Sequence, residues 1–351
     1  MSAAVATRLD SLVLLDELVR IPSVTGDVDD AAAHLLEVAA GAGYDATRDS
    51  AGNLLMSWGT GDAEDEIVLL GHLDTVPGEI AVRHHGGRVH GRGTVDAKGP
   101  LAAALAAVSR LSRDGGRRVT VIAASDEEGP SEGARRLRSR VAPAHLIVLE
   151  PSGWDTITTG YRGCLRLNVT VRRPCAHHAG RHAGAADVLV ARLADVQRTM
   201  TTEAARAVDG VQVRVNTLRA HDDGITEHAE SAIEVRIPAG LSADGSLAAI
   251  AELLGDAHVA VVSACEPVAV PRSNAVARAL ARAIATTGGR ARYTTKTGTS
   301  DLNVVLPAWR CPAAVYGPGD CSLDHTPHES IAVSDLRRGT DILEAAVRAL
   351  R

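Results

Sequence analysis

Two rhythms of apolar positions divide the chain. Over residues 5–20 apolar side chains recur at helical spacing, interrupted by Asp10, Asp16 and Glu17, which predicts an opening helix. Pro22 and Gly26 in IPSVTG break it, and a second helix is predicted over 28–42. Unbroken apolar runs then recur between turn residues: EIVLL at 66–70, VTVIAA at 119–124 and HLIVL at 145–149, with an alanine-rich helical stretch, Leu101–Leu111, between the first two. Runs that are apolar on both faces and alternate with helices predict a buried, mostly parallel sheet flanked by helices. From about residue 163 the rhythm becomes strict alternation: LRLNVTV, a helix near 186–206, VQVRVNTL, AIEVRIP, a helix near 244–255 and VAVVSA. That sequence of elements predicts a small α+β unit with an open-faced sheet. The first rhythm resumes after about 272, with a helix at 274–287, a strand near 313–316 and a last helix at 334–350. The expected class is therefore α/β with an inserted α+β lid: residues 1–162 and 272–351 form one domain, and 163–271 the insertion.

Composition narrows the functional classes. The 351 residues carry 37 basic and 43 acidic side chains, a net charge of −6, which excludes nucleic-acid binding by bulk charge. With 45% hydrophobic and 23% charged residues the chain reads as soluble and globular. No apolar run approaches the roughly 20 residues needed to span a bilayer, and the acid-interrupted start lacks a secretory pattern, so no membrane association and a cytoplasmic location are expected. The cysteines, Cys164, Cys175, Cys265, Cys311 and Cys321, are odd in number and without a CxxC pair, which argues against a disulfide framework or a thiolate zinc site. Phe is absent, so aliphatic side chains must fill the core. Rich Ala and Arg suggest a GC-rich genome. Against that bias only Lys98 and Lys296 are lysines.

The buried runs end in acids and histidine. EIVLL leads into GHLDTVPG with His72 and Asp74, VTVIAA into SDEEG with Glu127 and Glu128, and HLIVL into EPSG with Glu150; between them GRGTVDAKGP carries Asp96. Ligands of doubly wound sheets bind beyond the carboxyl ends of the strands, so these residues are expected in one crevice. Alone, His72-x-Asp74 reads as a surface or capping feature and Glu127-Glu128 as a solvated loop; three strand ends together with the glycine-rich loop make a shared metal site the better reading. Nitrogen and oxygen donors without thiolate suit Zn²⁺, Co²⁺ or Mn²⁺, and a bridging carboxylate suits two ions about 3.5–4 Å apart. Asp74 is spaced to accept the second ring N–H of His72. Of two adjacent glutamates, one can ligate while the other takes a proton from water.

These motifs, in this order and spacing, resemble the co-catalytic metallopeptidase family that includes acetylornithine deacetylase, succinyl-diaminopimelate desuccinylase, aminoacylase and glutamate carboxypeptidase. The resemblance runs over nearly the whole chain. It implies two divalent ions, zinc first with cobalt or manganese as alternatives: one held by His72 and Glu150, the other by Glu128 and a C-terminal histidine, with Asp96 bridging and Glu127 as general base. It also implies a cis bond between Asp96 and Ala97. In YGPGDCSLDHTPHES the histidine that precedes a short polar stretch and an acid is His325, with His328 the competitor. Family lids present a histidine from the partner subunit to the oxyanion, which implies a homodimer and points to His177, with His178 beside it; Arg173 stands where the family usually has glycine.

Small residues and hydroxyls in KTGTSDLN, residues 296–303, can form an anion-binding nest. The resemblance assigns the substrate carboxylate to Gly298, Thr299 and Ser300, with Arg236 and Lys296 as charge partners. KTGTSDLN, CPAAVYGPGD and LDHTP most resemble the lysine- and ornithine-releasing hydrolases that work on a small acidic amino-group carrier protein, cutting the amide to the γ-carboxyl of its C-terminal Glu. For such a partner RRLRSR at 135–140, VRR at 171–173 and Arg181 are candidate docking patches. The expected enzyme is a hydrolase of linear amides in lysine or arginine biosynthesis. An N-acetyl-ornithine or N-acetyl-lysine deacetylase, a dipeptidase, and a non-catalytic metal- or carrier-binding protein remain alternatives.

Overall fold

The computed structural model describes residues 8–113, 116–177, 179–201 and 209–351. The chain divides into two compact units, one of residues 1–159, 270–294 and 300–351, the other of 160–269 and 295–299.

The first unit opens with α1 (Ser11–Arg20) and α2 (Asp29–Ala42). The helix expected from residue 5 begins at 11 because the Asp10 carboxylate accepts the N–H groups of Leu12 and Val13 and so caps it; residues 5–7 lie outside the described residues. Next come β1 (Asp45–Arg48), β2 (Leu54–Trp58), β3 (Ile67–His72), β4 (Arg83–His85), β5 (Arg88–His90), α3 (Lys98–Ser109), β6 (Val119–Ala124), α4 (Glu132–Leu137), β7 (His145–Val148) and β8 (Thr156–Tyr161). The second unit contains β9 (Gly163–Pro174), α5 (Ala185–Met200), β10 (Gln212–Asp222), β11 (Thr226–Ile237), α6 (Ala243–Leu254), β12 (His258–Cys265) and β13 (Val268–Ala269). The chain then forms α7 (Ala275–Thr286), β14 (Arg292–Lys296), α8 (Asp301–Trp309), β15 (Ala313–Val315), β16 (Ser330–Ala332) and α9 (Val333–Leu350).

The main sheet runs β1-β2-β6-β3-β7-β15-β8-β13, with β14 also pairing β8. Its centre, β6-β3-β7-β15, is parallel, whereas β1 and β2 on one side and β8 on the other are antiparallel additions. Every residue of β3 and β6 is buried, in keeping with strands covered on both faces. So is every residue of α3, from Lys98 to Ser109, and its alanines Ala102, Ala103, Ala104, Ala106 and Ala107 have 0% exposure. Small side chains let this helix lie close to the sheet while α1 and α9 cover its other side. A small sheet, β16-β5-β4, ties the C-terminal segment to the loop before Asp96.

In the second unit the sheet order is β10-β11-β9-β12, antiparallel throughout. Leu165, Leu167, Val169 and Val171 of β9 pack with Leu189, Leu193 and Val196 of α5 and Ile250 and Leu254 of α6. Alternate β9 residues Arg166, Asn168 and Arg172 are exposed, so one face is open. The edge strand β12 leaves Val261 and Val262 47% and 60% exposed.

Candidate metal centre

Parallel register sets the site. His72, the last residue of β3, lies level with Ala124, the last of β6, and Leu70 lies level with Val148 of β7. The residues just past these ends, Ser125 to Glu128 and Glu150, therefore emerge beside His72. Asp96 arrives from the loop before α3, where the Asp96–Ala97 peptide is cis. His325 arrives from the segment between β15 and β16, in the left-handed region with a φ of 60°.

The two carboxylate oxygens of Asp96 face different histidines. Oδ1 is 3.1 Å from His72 Nε2 and Oδ2 is 3.1 Å from His325 Nε2. Glu150 Oε1 stands 3.7 Å from the same His72 nitrogen, and Glu128 Oε1 stands 2.8 Å from His325 Nε2. Donor atoms of His72, Asp96 and Glu128, and of His72, Glu127 and Glu150, lie within 4.8 Å of one another. His328 stays exposed, outside this cluster, with its backbone N–H on the Thr326 hydroxyl.

Asp74 does a different job from the one its spacing implies. The Nδ1 of His72 lies 2.9 Å from the Asp74 main-chain carbonyl and 3.5 Å from its carboxylate, so the ring N–H donates to the carbonyl. The Asp74 carboxylate instead accepts the N–H groups of Glu127 and Glu128, each at 3.1 Å, and the Thr25 hydroxyl at 2.7 Å. A one-letter pattern could not show this, because it depends on the fold of the SDEEG turn. Lys98, which falls inside the Asp96 motif, turns away as well: its Nζ donates to the carbonyls of Leu18 and Ile21 at 2.9 and 2.8 Å, and burial pushes its pKa down to about 8. Its stem presses on Gly93, where φ is 83° and an added Cβ would meet Lys98 Cδ at 3.0 Å.

Two further residues escaped sequence reasoning. The carboxylate of Glu329, 1% exposed, accepts the N–H groups of Val95 and Asp96 at 2.9 and 3.2 Å and pairs with Arg92 at 2.8 Å, so it holds the backbone that aims Asp96. The acid in DHTPHE was its signal, there used only to choose a histidine. Asp301, the first residue of α8, is 2% exposed, and neither carboxylate oxygen has a hydrogen-bond partner among the described residues. Burial, reinforced by the charges of Glu150 and Asp74 and opposed by His72, raises its pKa to about 8.

The same forces act on the cluster in its metal-free form. Burial would lower the His72 pKa, but Asp74, Asp96 and Glu127 outweigh it and hold the ring well above the usual histidine value. Asp96 is pulled the other way: burial raises it, and the two histidines bring it below the usual carboxylate range. Burial first and the Glu150 charge second raise Glu127 well above the ordinary glutamate value. His325 is raised to about 10 by its bonds to Asp96 and Glu128. Among the described residues Asp74, Asp96, Glu127, Glu128 and Asp301 form no ion pair with a lysine or arginine. Buried carboxylates converging on imidazoles without a side-chain cation are the donor set of a divalent ion, and the nitrogen–oxygen chemistry fits.

The remaining candidates lie elsewhere in their units. His177 is exposed in the turn after β9, its Nδ1 accepting the Ala179 N–H at 3.2 Å; His178 lies outside the described residues. Arg236 of β11 is fixed by Glu234, with Nε at 2.9 Å and Nη2 at 2.8 Å, while its buried Nη1 has no partner among the described residues. Lys296 lies 5.9 Å over the Tyr161 ring, in the second unit with Gly298 and Thr299. Ser300 belongs to the first unit and does not offer an anion site: its hydroxyl accepts the Leu302 N–H at 3.3 Å, its own N–H goes to Asn303 at 3.0 Å, and so both cap α8.

Comparison with known proteins agrees with this arrangement. The chain is 38% identical over 349 residues to a "[LysW]-lysine hydrolase" of Deinococcus radiodurans, covering 96% of each chain. It is 35% identical to a "Putative [LysW]-lysine/[LysW]-ornithine hydrolase" of Aeropyrum pernix, covering 95% of this chain and 94% of that one. The fold matches the aminopeptidase PepT of Bacillus cereus with a TM-score of 0.80 at 18% identity, over 98% of this chain and 100% of that one. A tripeptidase of Staphylococcus aureus matches with a TM-score of 0.81 at 17% identity, over 99% and 100%. The profile of Peptidase family M20/M25/M40 covers residues 68–349, including every member of the cluster around Asp96, and the chain belongs to that family of hydrolases.

Proposed function

We propose that the protein is a dinuclear metal-dependent amide hydrolase that releases lysine or ornithine from the C-terminal γ-glutamyl group of an amino-group carrier protein. The observation that carries the chemistry is Asp96, which turns one oxygen to His72 and the other to His325. The substrate follows from the two relatives' names, LysW-linked lysine and ornithine, over nearly the whole chain.

On this reading His72 and Glu150 would hold one ion, Glu128 and His325 the other, and Asp96 both, with zinc first and cobalt or manganese as alternatives. Bound ions would polarise the amide carbonyl and ease deprotonation of water. Glu127 takes the proton of the attacking water and delivers it to the leaving α-amine, a role suited to a half-buried carboxylate whose pKa is raised. Asp74 fixes the backbone of Glu127 and Glu128 so that the two point to different tasks. Arg236, Lys296, Gly298 and Thr299 receive the carboxylate of the released amino acid, and His177 of the partner subunit meets the oxyanion in a homodimer. An acidic carrier is served by α4, which follows the SDEEG turn and exposes Arg135 and Arg136, with Arg138 exposed just past its end. The reaction belongs to cytoplasmic amino-acid biosynthesis.

Two assays test this. The metal-loaded protein should hydrolyse carrier-linked lysine or ornithine at least about 10²-fold better, in kcat/KM, than N-acetyl-ornithine or a dipeptide. The reverse order would replace the carrier reading with deacetylation or peptide cleavage. Glu127→Gln should cut kcat by about 10²–10⁴ while metal content stays at the parent level; undiminished turnover removes the base assignment.

A further inference from the structure

A cavity of about 440 Å³ opens in the first unit between the end of α1, with the chain that follows it, and residues 75–82 after β3. That volume falls in the range of about 300–1,000 Å³ usual for small-molecule sites. None of the lining residues is a member of the cluster around Asp96. Lys98, 2% exposed, lines it and gives two of its three ammonium hydrogens to the Leu18 and Ile21 carbonyls. Among the described residues the third hydrogen has no acceptor, and the group pairs with no carboxylate. A buried cation without an anion is unfavourable, and an anionic ligand relieves that. Arg92, also in the lining, gives Nη1 to Glu329 and to the Thr326 carbonyl and Nε to the Gly78 carbonyl, which leaves Nη2 without a partner among the described residues. The other cation of the lining, Arg20, is already paired with Asp16. Glu79 lines the cavity too, exposed and without an ion pair among the described residues. Half-buried Ile21, Val24, Val76 and Ile80 supply an apolar wall.

We propose that this cavity binds an aliphatic chain with a carboxylate at one end and an ammonium at the other, and that its occupation tightens metal binding at Asp96 through Arg92. The second half rests on the reading of Asp96 as a metal bridge; the first half does not. The carboxylate accepts from Lys98 and from Arg92 Nη2, bonds strengthened by charge on both partners. The methylenes lie on the apolar wall, and Glu79 accepts from the ammonium. Free lysine or ornithine, the product class of the proposed reaction, has this chemistry, and so does an ω-amino carboxylate without an α-amine. The sign of the coupling follows from the guanidinium. Glu329 occupies Nη1 and Nη2 is open, so a ligand adds to the Glu329 contact instead of displacing it. Arg92 is then fixed between two anions, and Glu329, which accepts the N–H groups of Val95 and Asp96, is fixed with it.

The metal-loaded protein is irradiated with 4,4-azipentanoate, an aliphatic carboxylate carrying a photoreactive diazirine, and labelled peptides are mapped by mass spectrometry. Labels are expected within residues 19–24 or 75–82. L-lysine or 5-aminopentanoate should suppress them at a concentration at least about tenfold below that of valerate or pentylamine, each of which lacks one charged end. Suppression by L-lysine alone assigns the site to free diamino acids, and suppression by 5-aminopentanoate alone to chains without an α-amine. Labels confined to other segments, or equal suppression by valerate or pentylamine, overturn the proposal. The apparent Kd for Zn²⁺, read by competition with a chromophoric chelator, should fall at least about threefold with saturating 5-aminopentanoate, and zinc should lower the Kd of 5-aminopentanoate by the same factor. Ile80→Trp, which fills the cavity, should lose both the label and the shift while keeping the zinc Kd of the ligand-free parent. An unchanged zinc Kd overturns the coupling, and a shift that survives in Ile80→Trp places the carboxylate on the metal centre and overturns it as well. Neither readout uses turnover, so failure of the carrier reading leaves both scored.

Discussion

The imidazole of His325 sits between Asp96 and Glu128, and in the metal-free protein those two carboxylates keep it protonated up to about pH 10. Its folded pKa lies above the free value, so its contribution to apo-protein stability is complete below about 6.5 and is lost as pH rises through about 10. A metal ligand must give up that proton. Loading with Zn²⁺ at pH 7.5 should therefore release protons, read by calorimetry in buffers of different ionisation enthalpy, and His325→Ala should release fewer and bind more weakly; equal release would mean the ring is not a ligand. Asp301 titrates with the opposite consequence. Its folded pKa of about 8 exceeds the ordinary 3.8, so the metal-free chain loses stability as pH climbs between those values, by up to about 1.4 kcal/mol per pH unit. Asp301→Asn should melt higher than the parent at pH 8 and nearly alike at pH 4, and parallel melting curves across that range would refute the assignment. Sequence spacing made the crevice legible at His72, Glu127, Glu128 and Glu150 because parallel strands must present their ends side by side. It misread Asp74 and missed Glu329, because those roles are set by carbonyls and N–H groups that side-chain letters do not encode, and it missed Asp301, whose titration is set by burial that the letters do not show either.

Among the elements, α3 depends most on close approach. An added Cβ at Gly99 would meet the Thr94 carbonyl oxygen at 2.2 Å, so the first turn of the helix can lie against the Asp96 loop only without a side chain there. Gly99→Ala should cost about 1–3 kcal/mol and lower metal content, both measurable on the purified protein. Normal stability and full metal content would mean that the loop has room to yield. The helices and the fully buried strands were readable from periodicity over ten or more residues or from unbroken apolar runs. The antiparallel strands β1, β2 and β8 that flank the parallel centre were not, since short runs such as DATR and TITTGY carry neither pattern. Polar TITTGY is buried at every position, so tertiary context overrode its composition.

At the scale of the whole molecule, the proposed homodimer has a candidate seam: among the described strands β12 ends its sheet, and Val261 and Val262 are exposed there. Val262→Asp should shift the protein from dimer to monomer by light scattering and, if His177 acts across subunits, remove turnover as well; an unchanged mass would place the contact elsewhere. Chelation should lower Tm, since an ion present at 100 times its Kd adds about 2.7 kcal/mol to the folded state. No helix among the described residues is long and apolar enough to cross a membrane. The alanine richness that first suggested genomic bias has another side in α3. Its alanines are closed in by sheet and helices, so codons can drift toward alanine there but not away from it. A tolerance map of single substitutions across residues 98–109 should look as intolerant as a reaction centre, although none of those alanines meets a substrate.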